Sequence, residues 1–216
     1  MKPQGGKDVI AALLEERIVA VVRLSSEEAA LPVAQSLQEG GVRVIEMTLT
    51  TPGAVNAIDR IRQRMPDVIV GAGSVLTRAD VDQCLSAGAE FLVGPVLDVD
   101  VLAYALEKGV AFCPGTFTPS EAYAAWRLGA PLVKVFPAAR VGPKFLSDLK
   151  APMPFLKLMP TGGINAETVG DFLSAGADVV GAGSWLTPRA AIDAGDFDVI
   201  HDRALELSRA VESWKA

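Results

Sequence analysis

Short apolar runs alternate with longer stretches of helical periodicity along the whole chain, and the alternation keeps a regular step. The runs begin near Ile18, Arg43, Val68, Glu90, Ala111, Leu132, Leu156 and Asp178, about 21 to 25 residues apart. They read IVAVVR, RVIEMTL, VIVGAG, EFLVGP, AFCPG, LVKVFP, LKLMPTGG and DVVGAG. Runs so short and so continuously apolar fit parallel strands buried on both faces under covering helices. The segments between them carry helix start signals. Ser25 to Glu28 and Thr118 to Glu121 have capping-box spacing, and Pro119 supplies a proline at the first helical position. Thr51-Pro52 and Thr187-Pro188 repeat the pairing of a capping residue with proline, while Gly40-Gly41, Ala87-Gly88 and Ala175-Gly176 are natural helix exits.

Eight strand–helix units without a long linker predict a (β/α)8 TIM barrel made as one domain over residues 1–216. An N-terminal helix within 1–17, helical over 6–16, is expected to cap the barrel bottom. The barrel and a closing helix over 196–213 account for 18–216. An open doubly wound sheet is second choice, because the even spacing of eight units favours closure.

Strand parity then singles out a pair of residues. In the sixth run Val133 and Val135 share one side and Leu132, Lys134 and Phe136 the other; helices need apolar contacts, so Lys134 is expected to point inward. In the second run Ile45, Met47 and Leu49 face the helices, which turns Glu46 and Thr48 inward. Strands two and six lie opposite one another in an eight-stranded barrel, so Glu46 and Lys134 are expected to meet across its axis. The plainer readings are a structural ion pair, or a lysine that snorkels to solvent. A buried pair adds little stability compared with apolar side chains, which favours a working pair. An amine taken out of water gives up its proton more readily and can attack a ketone. The protonated imine so formed is an electron sink for breaking a neighbouring carbon–carbon bond, and a carboxyl such as Glu46 can move the protons.

The last two strands end in glycine-rich stretches, Thr161-Gly162-Gly163 and Gly181-Ala182-Gly183-Ser184. Tight strand–helix turns alone would explain such glycines. Their position after strands seven and eight, the usual phosphate cradle of this fold, favours an anion site. Ser74, at the end of Gly71-Ala72-Gly73-Ser74, is a candidate donor to a substrate carboxylate. Arg23, ending the first strand, is the candidate fixed cation, although an arginine at a strand end can equally be a surface residue.

Composition narrows the class. Half of the 216 residues are hydrophobic but only 6% aromatic, so the core is aliphatic. A net charge of −6 with no basic run argues against nucleic acid or an anionic membrane as partner and leaves any anionic ligand to local groups. Cys84 and Cys113 read as reduced core thiols, and with one histidine, His201, no metal site is implied and no cofactor is expected. Met1 to Val22 has charges at Lys7, Asp8, Glu15, Glu16 and Arg17 and no signal-peptide core, so a cytoplasmic protein is expected.

Several motifs in order resemble the 2-keto-3-deoxy-6-phosphogluconate (KDPG) aldolase family, with its KDPGal and 4-hydroxy-2-oxoglutarate (KHG) branches. They are Ile18 to Arg23, GGVRVIEMTLTTP (40–52), VGAGSVLT (70–77), PGTFTPSEA (114–122), LVKVFPA (132–138), MPTGGIN (159–165), GAGSWL (181–186) and AGDFD (194–198). The resemblance implies a class I aldolase without metal, usually a homotrimer, that cleaves a 2-keto-3-deoxy-6-phospho sugar acid to pyruvate and glyceraldehyde 3-phosphate. It implies Lys134 as the Schiff-base lysine and Glu46 as general acid/base. It further implies Ser74 and Thr161 at the pyruvyl portion with Arg23 as partner, and Gly162, Gly163, Gly183 and Ser184 at the phosphate. Two positions depart from the family pattern: Thr50 stands where many gluconate-type members carry arginine, and Gly94 where Ser or Thr often precedes proline. Both bear on which epimer or chain length is accepted. The competing readings are a 4-hydroxy-2-oxoglutarate aldolase, a non-covalent sugar-phosphate isomerase or epimerase on the same barrel, and a non-catalytic barrel, natural or engineered, used as an assembly module.

Overall fold

The computed structural model describes residues 6–215; residues 1–5 of the expected N-terminal segment lie outside the described residues. Helix α1 (Gly6–Glu16) leads into β1 (Ile18–Val22), and a 3-10 turn over Glu27–Ala29 precedes α2 (Ala30–Glu39). There follow β2 (Val44–Thr48), α3 (Ala54–Arg64), β3 (Ile69–Gly73), α4 (Arg78–Ser86), β4 (Phe91–Val93) and α5 (Val99–Glu107). The fifth apolar run is interrupted at Pro114 into β5 (Ala111–Cys113) and β6 (Gly115–Thr116), since proline has no N–H for the ladder. The chain continues through α6 (Pro119–Arg127), β7 (Val133–Val135), α7 (Gly142–Lys150), β8 (Leu158–Pro160), α8 (Val169–Ser174), β9 (Val180–Ala182), α9 (Arg189–Ala194) and α10 (Asp198–Lys215).

All paired strands are parallel and the sheet is curled. Six strands run in the order β5-β4-β3-β2-β1-β9, and β6-β7-β8 form a second piece. The pieces approach each other twice. Lys134 N in β7 donates to Pro114 O at 3.0 Å, next to the end of β5. Thr161, just after β8, bridges to Gly181 of β9, and Asp178 N donates to Leu158 O at 2.9 Å.

Two apolar clusters lie on the two faces of this curled sheet. Ile45, Met47, Val133 and Val135 pack toward the helices, whereas Val44, Phe91, Val93, Cys113, Leu132 and Met159 pack together on the inner face. This is the alternation expected from parity, and it leaves Glu46 and Lys134 inward. Val9, Ile10 and Leu13 of α1 join the inner cluster, so the first helix covers the end of the sheet where the strands begin. The closing helix extends from Asp198 to Lys215 and buries Ile200, Ala204, Leu207 and Val211 on one stripe, packed against α2 and α8.

The helix starts show which local signals prevailed. Thr118 forms the expected capping box with Glu121, with Pro119 in the first turn, and Thr77 forms another with Asp80. The other three expected caps are corrected by tertiary contacts. Ser26, not Ser25, caps the 3-10 turn, because the Ser25 hydroxyl is engaged by Asp193 at 2.7 Å. Thr51 accepts from Leu24 N at 3.0 Å, and α3 starts after Gly53 instead. Thr187 makes no cap to α9, since Pro188 holds the N-cap position and the Thr187 hydroxyl turns back to Gly183 O. Among the described residues no helix is long and apolar enough to cross a membrane.

Candidate active site

Lys134 sits at the middle of β7 and Glu46 in β2, each on the inner face. Lys134 Nζ lies 3.7 Å from Glu46 Oε1, with the side chains 7% and 1% exposed. At that separation the contact is an ion pair and not a hydrogen bond. Glu46 Oε2 is buried without a protein partner among the described residues, a costly arrangement unless a bound molecule supplies a donor. The backbone at Lys134 is held by the neighbouring segment Pro114–Thr116: its N–H donates to Pro114 O at 3.0 Å, and its carbonyl accepts from Thr116 Oγ1 at 3.0 Å. Cys113 lies on the same inner face, and its thiol is pushed up to about 12, first by burial and then by the Glu46 charge, with Lys134 opposing. It therefore stays a neutral thiol.

Above the pair, at the C-terminal ends of the strands, opens a cavity of about 510 Å³. Its lining includes Arg23, Thr161, Gly162, Gly163, Gly183 and Ser184, which brings six of the candidate binding residues to one place. Lys134 and Glu46 are not themselves among its lining residues; Val21 and Phe136, which are, adjoin the pair. Val21 lines the cavity and stands opposite Glu46 in the strand register, while the Phe136 ring lines it and lies 5.3 Å from Lys134 Nζ. Thr161 is buried, and its N–H donates to Val135 O at 2.9 Å, which fixes it beside the lysine strand. Gly162 and Gly163 follow with φ of 95° and 79°, conformations that side chains rarely adopt. Arg23 is exposed and makes no ion pair among the described residues.

Ser74 is placed differently. It follows β3 with φ of 63°, strained for a residue with a side chain, and is not part of the cavity lining. Three further lining residues escape a reading of the sequence. Ser25 and Arg189 both contact Asp193, Arg189 Nε at 3.3 Å, and Trp185 lines the same cavity. Asp193 is held below the usual carboxylate range by the Ser25 hydrogen bond and then by Arg189. Ser25 has the spacing of a helix cap and Arg189 opens a short helix, so only their meeting in space marks them as part of the site.

The two positions that depart from the family pattern are also accounted for. Thr50 lines the cavity and donates to Thr48 Oγ1 at 3.1 Å, an uncharged wall. A Cβ at Gly94 would stand 2.8 Å from the Phe112 ring, so a hydroxyl-bearing side chain has no room there. Lys157, just before β8, is exposed and lines a separate cavity of about 600 Å³ with Ile10 and Leu14 of α1, at the opposite end of the strands. No group of three or more potential metal ligands occurs among the described residues.

Comparison with known proteins identifies the family. The family model for KDPG and KHG aldolase matches residues 9–203. The KHG/KDPG aldolase of Escherichia coli (strain K12) is 39% identical over 199 residues, 92% of this chain and 92% of that protein. The 2-dehydro-3-deoxy-phosphogluconate aldolase of Treponema pallidum (strain Nichols) is 37% identical over 193 residues, 89% of this chain and 92% of that one. A crystal structure of KDPG aldolase from Legionella pneumophila, with pyruvate captured at low pH as a covalent carbinolamine intermediate, matches with a TM-score of 0.85 at 31% identity. That match covers 91% of this chain and 96% of the other. The chain belongs to the KDPG and KHG aldolase family.

Proposed function

We propose that this protein is a class I aldolase that cleaves 2-keto-3-deoxy-6-phosphogluconate, or its galactonate epimer, to pyruvate and glyceraldehyde 3-phosphate. The observation that carries this reading is the buried Lys134–Glu46 pair, 3.7 Å apart under a cavity rimmed by glycine loops and two arginines. Lys134 passes its proton to Glu46, the freed amine attacks the C2 ketone, and Glu46 returns that proton to the hydroxyl so that the carbinolamine loses water to a protonated imine. Removal of the C4 hydroxyl proton by Glu46 then breaks the C3–C4 bond. The bonding electrons flow into the imine as an enamine and the aldehyde leaves. Protonation at C3 and hydrolysis of the imine release pyruvate and restore the lysine.

Arg23, Ser74 and Thr161 serve the carboxylate-bearing end in this reading. Gly162, Gly163, Gly183 and Ser184 serve the phosphate through backbone N–H groups and a hydroxyl. The scaffold is read as a single-domain (β/α)8 barrel, supported by the contacts at Lys134–Pro114 and Thr161–Gly181 that approach closure from both sides. A homotrimer is supported by exposed aromatics such as Trp126 and Phe155, whose ring centroids are 4.2 Å apart. A cytoplasmic setting fits two free, buried cysteines.

Trapping with borohydride in the presence of pyruvate tests the chemistry: a stable adduct on Lys134 is expected. Its absence, with proton exchange retained, would favour a non-covalent isomerase. Pyruvate release from each epimer and from 4-hydroxy-2-oxoglutarate, run in parallel, decides the substrate. Light scattering decides the oligomer, and one much larger than a trimer without turnover would favour an assembly module.

A further inference from the structure

We infer that Gly73 is a positioning residue: the absence of its side chain is what seats the Glu46 carboxylate beside Lys134. The inference rests on the reading of Glu46 as the acid/base. Glu46 in β2 pairs in register with Gly71 of β3, and Thr48 with Gly73. Both glycines present a bare inner face, but the two spaces are filled differently. A Cβ at Gly71 would lie 2.5 Å from the Phe91 ring, so that ring from β4 already occupies the lower space. A Cβ at Gly73 would lie 2.0 Å from Glu46 Oε1, 2.6 Å from Cδ and 2.7 Å from Cγ. The ring below and the bare backbone above leave the carboxylate one direction, toward the strand ends where the cavity opens. Among the described residues no hydrogen bond holds it there, since Oε2 has no partner and Oε1 meets Lys134 only at 3.7 Å.

Gly73 has no left-handed backbone angle, unlike Ser74 next to it at φ 63°. Alanine is therefore tolerated by the backbone at 73, and its effect comes from the added methyl alone. With no side chain of its own, Gly73 offers substrate no side-chain contact, and the group its bare face adjoins is the Glu46 carboxylate.

The test compares wild type, Gly73→Ala, Glu46→Ala and the double variant by pyruvate release from the phosphorylated keto acid and by thermal melting. Gly73→Ala is expected to lower kcat by about 10²-fold, the scale of a carboxyl displaced by roughly 1 Å, with KM nearly unchanged. In the Glu46→Ala background the same change should cost less than about twofold, because the group it displaces is gone. Equal losses in both backgrounds, or wild-type turnover for Gly73→Ala, would overturn the inference. If Gly73→Ala fails to fold, Glu46→Ala should restore folding by removing the clash; a double variant that stays unfolded overturns it too. If Glu46→Ala alone turns over normally, the acid/base reading fails. The seating is then judged by melting alone: Gly73→Ala should lower the melting temperature of the otherwise wild-type chain and leave that of the Glu46→Ala variant unchanged. An equal drop in the two backgrounds would overturn the seating itself.

Discussion

Lys134 and Glu46 come from strands in two different pieces of the sheet, and their charged ends still meet at 3.7 Å with both side chains buried. Breaking a buried pair by removing one partner strands the other charge, which typically costs about 3 to 5 kcal/mol. Lys134→Ala is therefore expected to abolish both turnover and borohydride trapping, and also to lower the melting temperature. Lys134→Arg keeps a positive charge beside Glu46 but cannot form an imine. It should recover part of the stability and none of the activity. Substantial activity in either variant would show that another amine carries the chemistry.

Ser184 lines the cavity next to Gly183, where the phosphate of the substrate is read to bind. Ser184→Asp places a carboxylate against that phosphate. KM for the phosphorylated keto acid should rise, while cleavage of 4-hydroxy-2-oxoglutarate should be disturbed less, since it has no phosphate to repel. Steady-state kinetics on both substrates checks this, and equal losses on both would count against the phosphate site.

Much of this arrangement is legible in the sequence, because strand parity is a strict period of two. Once Ile45 and Met47 are assigned to the helices, Glu46 has to face inward, and Val133 and Val135 do the same for Lys134. The glycine-rich ends of β8 and β9 are legible by position in the repeat. Side-chain partners chosen across the fold are not. Ser25 and Thr51 both look like helix caps in sequence, but Asp193 and Leu24 N engage them instead. A local cap contributes about 1 kcal/mol, which a competing tertiary hydrogen bond can match. Arg189 escapes for the same reason, since nothing adjacent in sequence marks it as part of a cavity wall. Gly73 is named in the sequence only as a neighbour of Ser74, and its role depends on where the Glu46 carboxylate and the Phe91 ring go.

Cys113 and Cys84 are both pushed from 9.0 to about 12, in each case chiefly by burial. The unfolded chain loses these protons near pH 9 and the folded one near pH 12, so between those values the native state binds more protons. Stability should then fall as pH rises through that window, and be fully present below it. Urea midpoints measured from about pH 8 to about pH 11 are expected to decline in wild type. The decline should be shallower in Cys113→Ala. Neither thiol should react with iodoacetamide in the native protein at about pH 8, and both should react in denaturant. Rapid native labelling of Cys113 would mean that the inner face around the Lys134–Glu46 pair is open to solvent.

Arg189 offers the clearest test of how the substrate's outer end is recognised. Its guanidinium lines the cavity and is tied through Asp193 to Ser25, so the loop after β1 and helix α9 share one polar bridge at the rim. With the chain at a net charge of −6, a dianionic phosphate needs a local cation, and Thr50 on the neighbouring wall supplies none. Arg189→Ala is expected to raise KM for the phosphorylated substrate by about fivefold, the equivalent of about 1 kcal/mol for one solvent-exposed charge contact. Its kcat should hold, because Lys134 and Glu46 are untouched. The difference from wild type should shrink as salt is raised, since exposed charges are screened over about 8 Å at physiological ionic strength. For 4-hydroxy-2-oxoglutarate the same substitution should leave KM unchanged. A KM increase of equal size for both substrates would instead assign Arg189 to holding the rim through Asp193, with no contact to phosphate.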